Sequence, residues 1–135
     1  MDGFTLHPKL AADTWPVASL EISELLLMND ARFPWCILVP RFDGLREWHD
    51  VPDAARLPLL SELERTSRVL LELPGVTKIN VGALGNLVPQ LHIHVVGRHA
   101  GDAAWPGPVW GSGPAVPYEA AQARRLLKVI GSGIG

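Results

Sequence analysis

Apolar residues follow two different periods along this chain. From Leu20 to Met28, through Glu21-Ile22-Ser23-Glu24-Leu25-Leu26-Leu27, and again from Trp35 to Val39, they form short dense runs that read as strands. Asn29-Asp30-Ala31-Arg32-Phe33-Pro34 separates the runs with turn chemistry, so the pair predicts an antiparallel hairpin with a longer loop, stopped by Pro40. A helical period follows. Leu57, Leu60, Leu63, Ser67, Leu70 and Leu71 recur at three to four residues, which predicts a leucine stripe packed in the core. Pro52 suits its first turn, Asp50 or Asp53 its cap, and Pro74-Gly75 its end.

The second half returns to strands. Val76 to Val81 is the third, Gly82 to Pro89 a glycine-rich connection, and Gln90 to Val96 the fourth. A short helix is expected between Phe4 and Asp13, and a Gly/Pro/Trp-rich loop from Gly101 to Pro117. A last helix, Tyr118 to Ile130, is expected to fray into Gly131-Ser132-Gly133-Ile134-Gly135. This order predicts an α+β domain spanning residues 1–135, with a mainly antiparallel sheet and helices on one face.

The fourth strand has the most informative alternation. Leu91, Ile93 and Val95 point one way; Gln90, His92, His94 and Val96 point the other. The apolar set belongs on the core, which leaves two imidazoles and an amide in a row. Histidines two apart on a strand have side chains about 6–7 Å apart, close enough to address one ligand. A neutral ring nitrogen can attack phosphorus, and a neighbouring imidazolium can stabilise the charge that develops or protonate a leaving group. His-x-His by itself reads equally as two half-exposed sheet residues. A metal site of His92, His94 and His99 ranks below phosphate chemistry, because no carboxylate or thiol lies close in sequence to complete it.

Composition narrows the classes. The 135 residues suit one domain with its own core. Apolar residues at 47% and charged residues at 19% exclude a disordered chain. A net charge of −2 offers no basic field for a nucleic-acid polymer, although a small phosphate ligand needs only a local site. No apolar run is long enough to span a bilayer and no signal peptide opens the chain, so no membrane partner and a cytoplasmic location are expected. Cys36, the single cysteine, sits in an apolar run and reads as an inert core thiol.

The stretch from Lys78 to Arg98 resembles the core of the histidine-triad (HIT) superfamily, whose signature is His-φ-His-φ-His-φ-φ with φ apolar. Gly85-Asn86-x-Val88-Pro89-x-x-His92-x-His94 is far more specific than His-x-His. The resemblance continues upstream through residues 27–41 and downstream through Trp105-Pro106-Gly107-Pro108-Val109-Trp110-Gly111. It implies a nucleotide hydrolase or transferase acting at an α-phosphate, needing no cofactor or metal, and a homodimer built by extending the sheet. His92 matches the nucleophile that forms a nucleotidyl-imidazole, and His94 a phosphate contact. Asn80 and Asn86 match polar positions lining the phosphate site; Asp30, with Asn29, matches the contact to the ribose hydroxyls. The chain departs from the triad at Gln90, where an amide replaces the first histidine. An amide donates a hydrogen bond to phosphate but shuttles no proton. Gln-x-His-x-His is similar to a bacterial branch of the superfamily.

Each of these residues has a plainer reading as well. Asn29 and Asp30 also suit a turn, and Asn86 a tight turn with positive φ. Arg98 reads equally as a phosphate contact or a solvated charge at a strand end. His7 and His49 stand alone and read as structural. Trp105 and Trp110 read as a cover for the nucleotide, a subunit contact or loop packing.

Overall fold

The computed structural model describes residues 3–135. Helix α1 (Pro8–Asp13) leads into strand β1 (Thr14–Ser19), followed by β2 (Ser23–Met28) and β3 (Trp35–Pro40). A 3-10 turn (Trp48–Asp50) precedes α2 (Asp53–Leu71); β4 (Lys78–Gly82), β5 (Ile93–Arg98) and α3 (Ala120–Ile134) complete the chain. One sheet runs β1-β2-β3-β5-β4, and every neighbouring pair is antiparallel. The α+β expectation holds.

Alternation along the strands divides two cores. Leu25, Leu27, Cys36, Leu38, Ile93 and Val95 meet α2 and α3 on one face. Leu26, Trp35, Ile37, Val39 and Val96 line the other, covered by Leu10 of α1 with Phe33, Val88 and Val109. The two long helices therefore share a face, as expected, while the short α1 covers the opposite one. All six residues of β5 are buried. Cys36 is fully buried and free, and burial pushes its thiol up to about 12, in keeping with an inert core residue.

Several boundaries differ from the sequence reading. Strand β1 was not expected: Pro16 hides it, because proline lacks the donor a central strand needs. Here β1 is an edge strand, and its register shifts between Pro16 and Ala18 in a bulge that accommodates the ring. The fourth expected strand begins later, at Ile93, so Gln90 and His92 lie in the segment leading into it.

The helices differ too. On α2 the buried stripe is Ala55, Leu59, Glu62, Thr66, Val69 and Leu70, while Leu57, Leu60 and Leu71 are exposed. Glu62 and Thr66 enter the core because hydrogen bonds engage them: Glu62 Oε2 accepts from Ile22 N–H at 2.7 Å, and Thr66 Oγ1 donates to the Glu62 carbonyl at 2.8 Å. Helix α3 starts later than expected and does not fray at Gly131; it continues to Ile134, whose side chain is buried with Ile130. At Gly133 an added Cβ would stand 3.2 Å from Val69, so the glycine permits close helix contact. Packing here outweighs the cost of about 1 kcal/mol for a helical glycine.

Candidate functional site

His92 and His94 stand on one side of the sheet, their ring centroids 4.8 Å apart, and both are largely buried. Strand alternation sends Leu91, Ile93 and Val95 into the helix-covered core, which turns both imidazoles toward the other face. Both line a cavity of about 660 Å³. Its walls include Trp35 and Trp110 beside the rings, Asp30 and Arg32 from the β2–β3 loop, and Leu84 and Asn86 from the β4–β5 connection. Lys9 and Leu10 of α1 also line it.

Hydrogen bonds set the tautomers of the two rings. His92 Nδ1 lies 2.7 Å from the Gln90 carbonyl oxygen, which only accepts, so in the neutral ring this nitrogen carries the proton and the lone pair is on Nε2. The opposite holds at His94. Trp35 Nε1–H, a donor only, donates to His94 Nδ1 at 3.0 Å, so the neutral ring carries its proton on Nε2. Burial first, and then the neighbouring His92, push His94 down to about 3, so it is neutral at physiological pH. One ring thus presents a lone pair and the other an N–H donor. The aromatic walls hold this arrangement: Trp35 and Trp110 meet His94 edge to face at 5.6 and 5.4 Å between centroids. Trp110 comes this close because position 82 is glycine; a Cβ there would lie 2.9 Å from the indole.

Asp30 is buried at the cavity wall. Arg32 holds it through Nε at 3.0 Å, Nη2 at 2.8 Å and its main-chain N–H at 3.1 Å, and Val116 N–H donates at 3.3 Å. Burial pushes the carboxyl up, but the Arg32 and main-chain bonds outweigh it and keep the group below its usual range. Three of these four bonds fall on Oδ1, which leaves Oδ2 with acceptor capacity. Asn86 lines the same cavity; the positive φ in its turn belongs to Gly85, at 71°.

The remaining expected residues lie around the site and do not line this cavity. Gln90 spends its amide on the N-terminal segment: Oε1 accepts from His7 N–H at 2.8 Å, and Nε2 donates to the Thr5 carbonyl at 2.9 Å. Asn29 Oδ1 accepts from Tyr118 N–H at 2.9 Å, tying the hairpin loop to the start of the last helix. Arg98 is buried. It pairs with Asp102 at 2.7 and 3.0 Å and donates to Asn80 Oδ1 at 2.8 Å and to the Gly107 carbonyl at 2.9 Å. Arg98 also lies 5.6 Å from the Trp105 ring, which separates the two loop tryptophans: Trp110 faces the cavity and Trp105 packs on Arg98. His7 accepts from Lys9 N–H at the start of α1, a structural role.

His99 follows the far end of β5, exposed. Among the described residues no group of three His, Cys, Asp or Glu side chains is placed to hold a metal. Also among them, no helix is long and apolar enough to cross a membrane. Trp35 and Arg32 were missed as site residues. The signal for Trp35 was its place in the hairpin strand, two residues from Ile37, which pairs with His94 in the sheet.

The family model for the HIT domain matches residues 12–101. A crystal structure of a histidine triad protein from Marinobacter aquaeolei VT8 is 46% identical, with a TM-score of 0.93, covering 97% of this chain and 96% of that one. One from Sinorhizobium meliloti 1021 is 40% identical with a TM-score of 0.95, and one from Bradyrhizobium japonicum 39% identical with 0.94; each covers 98% of both chains. A search of curated protein sequences gives no match. With the family model spanning two thirds of its length, and near-complete relatives of this similarity, the chain belongs to the histidine-triad (HIT) family.

Proposed function

We propose that the protein cleaves a nucleotide at its α-phosphate, or transfers the nucleotidyl group, through a covalent intermediate on His92. The observation that carries this reading is the bond from His92 Nδ1–H to the Gln90 carbonyl, which leaves a lone pair on Nε2 of a residue lining the larger cavity. The base and ribose occupy the space beside Trp35, Trp110 and Leu84, with Asp30 Oδ2 accepting from a ribose hydroxyl and the Asn86 amide facing phosphate oxygens. Nε2 attacks phosphorus, the bond to the leaving group breaks with its electron pair, and His94 Nε2–H donates to the non-bridging oxygen that gains charge. Water then adds to phosphorus and the P–N bond breaks, returning its pair to Nε2. A nucleoside monophosphate leaves and the water's proton passes to solvent.

Gln90 serves this scheme through its carbonyl, with its amide as a brace, and its presence at the first position fits a Gln-x-His-x-His branch of the family. Asn29, Asn80 and Arg98 support the loops around the site. The activity is assigned to the whole chain as one domain and needs no cofactor, and it is placed in the cytoplasm, which holds the nucleotide pool. A homodimer joined through the sheet fits β4, an edge strand with Val81 exposed.

A second reading is nucleotide binding without meaningful turnover. It is favoured by the engagement of Gln90, which leaves no proton-shuttling group at the first triad position. Mass spectrometry separates the two. Incubation with a panel of nucleotides and quenching into base, which preserves P–N bonds, should give a nucleotidyl adduct on the peptide containing His92, absent from His92→Asn. Monophosphate binding with neither adduct nor product across the panel would leave only the binding reading.

A further inference from the structure

His92 borders two cavities, of about 660 and 180 Å³, and only the larger reaches helix α1. Lys9, Leu10 and Asp13 of that helix line it, with Met28 of β2, and the proposed reaction has so far given them no part. We propose that α1 reads the base of the bound nucleotide, with Asp13 and Lys9 selecting guanine, and that Gln90 is the positioning residue that holds the helix in place. The proposal rests on the nucleotide reading of the site.

Sheet order is the first argument. His94 lies on β5, and Trp35, which donates to it, on the neighbouring β3. Met28 is one strand further, on β2, and pairs with Thr14 at the start of β1. Asp13 ends α1 directly before Thr14, and its carbonyl accepts from Asn29 N–H at 3.0 Å. From β5 to β1 is three strand spacings, about 14 Å. Asp30 stands in the loop joining β2 to β3, the two strands between these ends. A nucleotide with its phosphate on the histidines and its ribose at Asp30 therefore points its base toward α1.

Complementarity is the second. The floor at this end is apolar: Leu10 is buried, and Met28 packs on the same core. The polar groups stand at its rim. Lys9 Nζ donates to Asp13 Oδ2 at 2.8 Å, and both side chains are about half exposed, so a ligand can reach them. Such an i,i+4 pair contributes little to the fold. Each partner keeps unused capacity: Lys9 has further N–H donors, and among the described residues Asp13 Oδ1 accepts from no group. Guanine fits this pair best. Its N1–H and 2-amino group are two parallel donors for a carboxylate, and its O6 beside them accepts from an ammonium. Adenine and cytosine offer the carboxylate one amino group only, and the N–H of uracil is flanked by carbonyls that repel it.

The third argument is how α1 is held. Six residues are too few to keep a helix by themselves. Leu10, with Phe4 and Leu6, packs on the core, and His7 Nδ1 accepts from Lys9 N–H at 3.1 Å. Gln90 supplies the rest. It accepts from His7 N–H at 2.8 Å and donates to the Thr5 carbonyl at 2.9 Å, so the approach to α1 hangs from one side chain. The Gln90 carbonyl meanwhile holds His92 Nδ1. One residue thus ties the base reader to the nucleophile.

The test is calorimetric titration of GMP, IMP, AMP and UMP into the parent protein, Asp13→Ala, Lys9→Ala and Gln90→Ala. GMP should bind the parent about tenfold more tightly than AMP, the worth of one charge-assisted hydrogen bond, with IMP, which lacks the 2-amino group, between them. Asp13→Ala should erase this preference through loss of GMP affinity, with AMP little changed, and Lys9→Ala should reduce it. Gln90→Ala, at a temperature where it stays folded, should bring the GMP-to-AMP ratio toward one, which loss of stability alone does not do. A parent that does not prefer GMP, or an Asp13→Ala variant that keeps the preference, overturns the proposal and leaves the nucleotide site intact. A ratio unchanged in Gln90→Ala overturns the positioning role. If none of the four nucleotides binds, the nucleotide reading itself fails and this inference with it.

Discussion

The indole N–H of Trp35 donates to Nδ1 of His94 across the sheet at 3.0 Å. This bond joins the hairpin to the histidine segment and decides which nitrogen of the neutral His94 ring carries the proton. Trp35→Phe keeps most of the ring packing and removes the donor. The tautomer of His94 is then free, and the proposed hydrogen bond to phosphate is lost in part of the population. The expected cost is about tenfold in kcat/KM, near the worth of one hydrogen bond, with the fold intact by circular dichroism. Nitrogen-15 NMR of the His94 ring should show the change in protonated nitrogen; an unchanged ring would remove Trp35 from this role.

Gln90 holds residues 5 and 7 with both ends of its amide. Gln90→Ala should lose about 1–2 kcal/mol of stability and speed amide exchange at His7. Gln90→Glu should be worse, since it keeps an acceptor for His7 N–H and sets a carboxylate oxygen against the Thr5 carbonyl. Equal exchange at His7 in the parent and both variants would show that the brace is absent in solution.

Arg98 and Asp102 are both buried and joined at 2.7 Å. Removing one partner leaves an unpaired buried charge, so Arg98→Ala should cost about 3–5 kcal/mol in urea unfolding. The variant is expected to bind monophosphate normally at temperatures where it stays folded. A stable variant with weakened nucleotide binding would return Arg98 to the phosphate role that the sequence offered.

The pH dependence of stability follows from His94 and the paired acids. His94 is held near 3 against an ordinary 6.5, so below about pH 6.5 the unfolded chain takes up a proton that the folded chain refuses. Stability should fall as pH drops through this window, by up to about 1.4 kcal/mol per pH unit from this group. Asp30 and Asp102 are both lowered in the folded state, so their contribution is present above the ordinary 3.8 and disappears below it. Denaturant midpoints between pH 7 and 4 should decline, and His94→Asn should flatten that decline. An equally steep decline in the variant would show that His94 does not cause it.

Much of the fold was legible because the period of apolar residues is a local property. The hairpin of β2 and β3, the helix before Pro74-Gly75 and the two faces of the histidine segment all follow from spacing alone. The elements misread are those where packing overrides local preference. Pro16 argues against a strand until its position at the sheet edge is known. Gly131 and Gly133 argue against a helix until Ile130 and Ile134 find the core. On α2 two series of apolar positions compete, and only docking on the sheet chose the one containing Glu62 and Thr66.

The site divides in the same way. The sequence by itself determined that His92 and His94 share a face, that Cys36 is buried in a strand, and that the chain carries the family's signature with glutamine first. Those facts depend on side-chain direction along a few consecutive residues. Only the tertiary structure decided which groups meet the histidines. Trp35 lies 59 positions from His94, and Thr5 85 from Gln90. Arg98, Asn80 and Asn29 carry side chains fit for phosphate or ribose, and each also has a protein partner: Arg98 donates to Asn80 Oδ1 and pairs with Asp102, and Asn29 Oδ1 accepts from Tyr118 N–H. A hydrogen bond between distant residues leaves no period in the sequence, so the tautomers of the two rings, and with them the division of chemical roles, emerge only when the sheet is assembled.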